Sequence, residues 1–136
     1  MNKKILSLGA ATLMVLLIPM VSFAAGNADQ EIATATTHAR FAANAADAAT
    51  AIMHFHHVIN CLVGPSSKLF DADVGNPCEG MGNGALNDVG KKSQEHSQLE
   101  HVLALAKQAL HAKNLEATQQ YAARISEALK GVNTGE

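Results

Sequence analysis

Histidine is the residue type in this 136-residue sequence best suited to chemistry, and its distribution is uneven. The chain has seven histidines, and three of them fall within residues 53–57. Neutral imidazole is the commonest metal ligand in proteins, and two imidazoles three or four residues apart lie on one face of a helix. His54 and His57 have this spacing. The segment therefore predicts a transition-metal site carried by a helix.

The helices that must position these histidines can be predicted from the spacing of apolar residues. Residues 30–63 lack glycine and proline, are rich in alanine, and repeat apolar residues at alternating intervals of four and three, which is typical of a helix. Segments 87–112 and 115–130 have the same periodicity, and Lys113-Asn114 between them is suited to a tight connection. The sequence thus predicts an all-α fold, a three-helix bundle in which a long first helix packs on an antiparallel hairpin.

The segment between the first two predicted helices, residues 64–86, has the composition of a loop. It holds five glycines and two prolines, which rules out a regular element. Cys61 closes the first helix and Cys78 lies inside the loop, so a disulfide between them would tie the loop back and stabilise the fold by about 3 kcal/mol. The alternative role for the two cysteines is a pair of thiolate metal ligands.

The first 24 residues have the three-part form of a secretory signal. Lys3 and Lys4 precede an apolar run over 5–21, and Ser22-Phe23-Ala24 places small residues where a signal peptidase cuts. Cleavage is favoured over an uncleaved membrane anchor and leaves about 112 residues, the size of one domain. We therefore expect a single helical domain over residues 25–136, in the bacterial periplasm or secreted, with no membrane contact after cleavage.

Charge and motifs exclude several classes of function. Loss of Lys3 and Lys4 leaves eight of the ten basic residues against twelve acidic ones, a net charge of 8 − 12 = −4. Such a chain is poorly suited to nucleic acid or to an anionic membrane surface. The sequence has no CxxCH haem motif and no recognisable serine triad, and an oxidised Cys61 leaves no thiol nucleophile. We expect a protein that is not an enzyme.

An unbroken first helix antiparallel to the second would bring histidines to common levels along the bundle. Equal rises per residue place His96 level with His54, and His111 level with His38. The predicted main metal site draws on both helices and consists of His54, His57, His96, His56 and His101. A secondary metal pair is His38 with His111. Imidazole-rich sites suit Cu, Zn or Ni, and the sequence does not choose among them.

Residues 101–115 resemble a known family. The run HVLALAKQALHAKNL is similar to the helical repeats of bacterial periplasmic small metal-binding proteins, in which histidines recur beside Ala-Lys and Ala-Leu pairs. The resemblance implies divalent metal binding by His101 and His111. This chain has far fewer histidines and a cysteine-bridged loop, so the resemblance implies at most one or two metal sites.

Two other hypotheses fit the same sequence. In the first, the histidines are solvated or hydrogen-bonded side chains and the domain is a non-catalytic interaction module. It then docks on a protein partner or on a second copy through the alanine-rich face of the first helix or the loop around Phe70. In the second, inward histidines hold a b-type haem between the helices.

Overall fold

The protein is helical throughout the part that the structure describes. A computed structural model describes residues 26–91 and 93–132, so the predicted signal segment 1–24 lies outside it. The helices are α1 (Ala28–Ala43), α2 (Ala48–Val63), α3 (Ala85–Asp88), α4 (Gln94–Ala109) and α5 (Leu115–Lys130). The all-α prediction is confirmed. The predicted three-helix arrangement is not, because four long helices and one short helix are present among these residues.

The first predicted helix, residues 30–63, is in fact two helices joined by residues 44–47. The Asp47 carboxylate accepts hydrogen bonds from the backbone N–H of Thr50 at 2.8 Å and from its hydroxyl at 2.9 Å, which caps α2. Asn44 closes α1, and its side-chain amide donates to the Arg40 carbonyl at 2.7 Å. Asn and Asp side chains compete with helical hydrogen bonding in this way. Here they outweigh the helix propensity of the surrounding alanines, and α2 folds back along α1.

The second predicted helix, residues 87–112, is also shorter than expected. Its first residues belong to α3, and Gly90 then takes a positive φ of 81° that interrupts the helix. The helix resumes in α4 where the Ser93 hydroxyl accepts from the backbone N–H of His96 at 3.1 Å. In α5, by contrast, the helix begins and ends where the apolar spacing places it, with Asn114 as its N-cap.

The four long helices pack around one core. The α1 helix contacts α2 and α5, and α4 contacts the same two helices, while α1 and α4 do not touch each other within the described residues. This arrangement is a four-helix bundle with α1 and α4 on opposite corners. The inner face of α1 is built from fully buried alanines, which allow close approach to α2: Ala35, Ala39 and Ala42. The largest buried apolar side chains are Phe55, Leu62, Leu99 and Ile125.

Two consecutive residues of α2, Asn60 and Cys61, hold the loop that follows this helix. Cys61 and Cys78 form the predicted disulfide, with their Cα atoms 5.3 Å apart. The neighbouring Asn60 is buried, and its amide donates to the carbonyls of Asp71 at 2.7 Å and Gly75 at 2.8 Å. Its side-chain oxygen accepts from the Asp71 N–H at 2.9 Å. The loop is thereby held against the C-terminal half of α2. No helix in the described part of the chain is long and apolar enough to cross a membrane.

Candidate metal centre

Three histidine side chains converge between α1 and α2. Nδ1 of His38 lies 3.1 Å from Nδ1 of His54 and 3.2 Å from Nδ1 of His57. One ligand nitrogen from each ring lies within 4.8 Å of the other two. The antiparallel turn at residues 44–47 explains this meeting, because His38 and His54 are at similar distances along the chain on either side of it. His57 joins them from the next turn of α2.

These separations suit a shared metal ion. Two imidazole nitrogens bound to one tetrahedral Zn²⁺ at about 2.0–2.1 Å are themselves about 3.3 Å apart. The observed separations of 3.1 and 3.2 Å between Nδ1 atoms differ from that value by only a few tenths of an ångström. The three histidines are therefore close enough to bind one metal ion with small side-chain adjustments.

A backbone carbonyl fixes which nitrogen of His57 is available. Nε2 of His57 lies 2.7 Å from the carbonyl oxygen of Val74. A carbonyl only accepts hydrogen bonds, so Nε2 carries the proton. The lone pair of the neutral ring is then on Nδ1, which faces His38. Orientation of a ligand imidazole by a carbonyl on its other nitrogen is typical of metal sites.

The surroundings of the three histidines keep two of the rings neutral. Burial is the largest cause that lowers the pKa of His38 to about 4, and the nearby His57 and His54 contribute to the same shift. Burial also lowers the pKa of His54, with a smaller contribution from His57. Protonated imidazole cannot bind a metal, so a depressed pKa keeps these two rings in the form that can.

Apolar side chains border the three histidines on the solvent side. The Phe41 ring lies edge-on to the His38 ring at 5.5 Å between centroids, and 5.3 Å from the His54 ring. Phe41 is 50% exposed and Met53, beside His54, is 39% exposed. The three histidines themselves are partly buried. The cluster thus lies under an apolar border near the surface, where an ion can enter.

His56 and His111 lie on a different face of the bundle, apart from this cluster. Nδ1 of His56 is 3.1 Å from the Asp71 carboxylate. Both histidines line a cavity of about 550 Å³ between α2, α4 and the loop, together with Lys107. The predicted pairing of His111 with His38 does not hold, because it assumed an unbroken first helix. His38 instead meets residues of α2.

His96 and His101 are also placed away from the three converging histidines. Nδ1 of His96 is 3.9 Å from the carboxylate of Glu100 on its own helix, and no described group of three potential ligands includes either histidine. His101 is exposed and borders a surface depression beside Arg124. The predicted level match between His96 and His54 rested on helix bounds that the structure changes. It assumed that the second helix begins at residue 87, and α4 begins at Gln94.

His38 is the member of the cluster that the sequence predicts only as part of the secondary pair with His111. The apolar spacing around His38 predicts its helix correctly, but the predicted partner is His111, just after the end of α4 and not on α2. The signal that identifies the true partners is the pair Asn44 and Asp47, which can end one helix and cap the next within four residues. With a turn placed there, His38 falls beside His54.

Comparisons with protein-family models, curated proteins and solved structures find no match to this chain. The resemblance of residues 101–115 to periplasmic small metal-binding proteins therefore remains an expectation from the sequence. The class that the structure itself defines is a disulfide-bridged helical bundle with three histidines close enough to bind a metal ion.

Proposed function

We propose that this protein binds one transition-metal ion through His38, His54 and His57, and serves as a non-enzymatic metal-binding or buffering protein of the bacterial periplasm. The observation that carries the proposal is the convergence of the Nδ1 atoms of His54 and His57 on Nδ1 of His38, at 3.1 and 3.2 Å. The ion is Cu, Zn or Ni, the metals that imidazole donors suit.

Hydrogen bonding among the three rings does not satisfy the cluster. The Val74 carbonyl leaves a lone pair on Nδ1 of His57. Nδ1 of His38 holds at most one proton, and that proton cannot serve both His54 and His57 well. At least one close nitrogen pair is then left with poor hydrogen bonding, which is costly in a partly buried site. A single metal ion would engage all three lone pairs at once.

The donor set is suited to reversible binding of one metal ion. Three neutral imidazoles leave room for a water or small ligand in a fourth position of a tetrahedral ion. The described residues place no carboxylate within the group of three potential ligands. A site of this kind holds and releases an ion as its histidines exchange metal for protons.

The location rests on two observations. The predicted signal over residues 1–24 directs export, and the Cys61–Cys78 disulfide is the kind of bond that persists in an oxidising compartment. The same disulfide and Asn60 hold the loop that presents the Val74 carbonyl to His57. Export to an oxidising compartment would thus allow the disulfide to form, and the disulfide helps to hold the loop that orients His57.

The test is titration calorimetry of protein purified from the periplasmic fraction of an expressing bacterium and stripped of metal with EDTA. We expect one equivalent of Cu(II), Zn(II) or Ni(II) to bind. The variant His38→Ala/His54→Ala/His57→Ala should lose that equivalent. A matched control removes three other histidines, His96, His101 and His111, and should bind as the unchanged protein does.

The two triple variants make the assignment falsifiable. Equal binding by both variants would show that the three converging histidines are incidental. Loss of binding in the control alone would show that the metal binds at the histidines on or just after α4. Circular dichroism on each variant checks that the helices remain folded.

A further inference from the structure

A second polar cluster lies at the start of α1, where a carboxyl group is buried. Glu31 is 1% exposed, although glutamate is almost never fully buried without a partner. Its Oε1 accepts a hydrogen bond from the backbone N–H of Gly84 at 2.9 Å. Its Oε2 is buried and has no hydrogen-bond partner among the described residues. A buried carboxylate oxygen without a hydrogen-bond partner is energetically costly unless it binds a proton or another cation.

The group that faces Glu31 is a second carboxyl, that of Asp88. Asp88 Oδ2 accepts from the Asn83 N–H at 2.9 Å. A Cβ added to Gly82 would overlap Asp88 Oδ2 and would come within 3.0 Å of Glu31 Oε1, so the two carboxyl groups meet over this glycine. Two adjacent carboxyl groups cannot both ionise at low cost.

No basic side chain neutralises this pair within residues 26–91 and 93–132. The ion pairs there involve other carboxylates, those of Asp71, Glu100 and Glu127. Of the elements packed against α1, α3 supplies the charged group that acts on Glu31, and the described parts of α2 and α5 supply none. Burial is the largest cause that raises the pKa of Glu31 to about 7; the Gly84 hydrogen bond opposes it, and Asp88 adds to it.

We propose that Glu31 and Asp88 share one proton in a carboxyl–carboxylate hydrogen bond that latches the start of α1 onto residues 82–88, and that loss of this proton opens the latch. The proton is the cation that fits, because Oε2 of Glu31 is enclosed and needs a partner at hydrogen-bond distance. When it leaves, two negative charges face each other in a buried site.

Opening has a defined structural consequence. Three hydrogen bonds tie the first half of α1 and its N-cap to the loop before α3: the Gly84 N–H to Glu31, the Asn27 N–H to the Met81 carbonyl at 2.8 Å, and the Thr34 hydroxyl to Sδ of Met81 at 3.6 Å. The disulfide fastens the same loop to α2 through Cys78, and this bond does not respond to pH. Loss of the proton therefore loosens α1 from the loop while α2 stays attached.

The direction of the pH dependence follows from the raised pKa. The folded protein keeps the Glu31 proton that an unfolded chain releases near the ordinary value of 4.5. The latch therefore contributes fully below that pH, and its contribution is lost as the pH rises through about 7.

The experiment compares thermal unfolding between pH 5 and 8 for the metal-free periplasmic protein, Glu31→Gln and the exposed control Glu79→Gln. The glutamine amide can donate to Asp88 but does not titrate. We expect the unfolding temperature of the unchanged protein and of Glu79→Gln to fall by roughly 10 °C relative to Glu31→Gln over this range. Histidine titration is common to all three proteins and cancels in the difference.

A second measurement does not depend on the folding of the variant. In carbonyl-labelled protein the ¹³C resonance of the Glu31 carboxyl should titrate near pH 7, and exchange of the Gly84 amide should accelerate above that pH. Titration in the ordinary glutamate range would overturn the proposal, as would the same pH dependence in Glu31→Gln. A rise in unfolding temperature at pH 8 on adding Ca²⁺, absent in Glu31→Gln, would overturn it in favour of a divalent-ion site.

Discussion

Helix α1 carries two clusters of polar side chains that are partly or fully buried and lack a full set of hydrogen-bond partners. Near its start, Glu31 faces Asp88; two turns later, His38 faces His54 and His57. In each cluster, side-chain atoms that carry lone pairs face one another in a partly or fully buried site, and we propose that a cation binds between them. On these proposals, α1 has two places where binding of a small cation is coupled to helix packing.

The two clusters differ in burial and in donor type, and these differences are the basis for proposing a different cation for each. The Glu31 carboxyl is 1% exposed and enclosed, a setting that suits a proton. The three imidazoles lie at the surface beside the half-exposed Phe41, and they offer the nitrogen donors that transition metals prefer. Exposure gives an ion access to the imidazoles, and enclosure restricts the carboxyl pair to a proton.

The first prediction separates the two clusters by their response to metal. At a free Zn(II) concentration about 100 times the dissociation constant, the unfolding free energy should rise by about 2.7 kcal/mol, because the ion binds the folded state. Glu31→Gln should show the same rise, since its change lies outside the three histidines. His38→Ala/His57→Ala should show almost none. Differential scanning calorimetry at pH 7 with and without Zn(II) measures all three.

A reduced response in Glu31→Gln would show that the two clusters are coupled along α1 and are not independent. A full rise in the unfolding free energy of the double histidine variant would show that Zn(II) does not bind at the three converging histidines.

Apolar periodicity was sufficient to predict the helical class and the bounds of α5, and the loop with its disulfide followed from its glycines and prolines and from the two cysteines. These features depend on local composition. The sequence offers one good N-cap for α5, which is Asn114, and one pair of cysteines for a disulfide, which is Cys61 with Cys78. The two carboxyl groups were not found, because Glu31 reads as an ordinary first-turn acid until the loop folds over it.

The placement of the histidines could not be derived without the turn between α1 and α2. Alanine around residues 44–47 favours continuation of the helix, and only the side chains of Asn44 and Asp47 oppose it. A single missed turn changed the partners of His38 from α4 to α2. Long-range register depends on such turns, so the helices were easier to predict than the site between them.

The second prediction concerns Asn60, which links the loop to the three histidines. Asn60→Ala removes three hydrogen bonds and leaves the Asp71 N–H and the carbonyls of Asp71 and Gly75 without these partners. The unfolding free energy should fall by about 2 kcal/mol. The affinity for Zn(II) should fall by about tenfold, because the Val74 carbonyl no longer orients His57.

Asn87→Ala is the matched control for Asn60→Ala. Asn87 also donates two side-chain hydrogen bonds, to the carbonyls of Val63 at 3.2 Å and Asn83 at 2.7 Å, but neither partner lies in the segment 71–75 that Asn60 holds beside Val74. Urea unfolding and calorimetric titration should show lower stability with unchanged metal affinity. An equal loss of affinity in both variants would mean that the effect of Asn60 is general destabilisation.

The smallest expected effect is the acid dependence of the metal-free histidines. The folded pKa of His38 lies near 4, below its ordinary value of 6.5, so the unfolded chain binds the proton first. Stability from this ring is present above pH 6.5 and is lost as the pH falls toward 4, the reverse of the Glu31 dependence. Partial exposure to solvent reduces the expected loss to about 1 kcal/mol.

The two opposing dependences overlap between pH 4.5 and 6.5, so the measurement belongs in the Glu31→Gln background, where the carboxyl contribution is absent. Urea unfolding in EDTA at pH 7 and pH 4.5 should show a loss of stability on acidification that His38→Ala reduces and the exposed control His111→Ala does not. No loss on acidification in that background would mean that His38 takes up its proton as readily when folded as when unfolded. The ring would then be well solvated, and burial would not be what keeps His38 in the neutral form that can bind a metal ion.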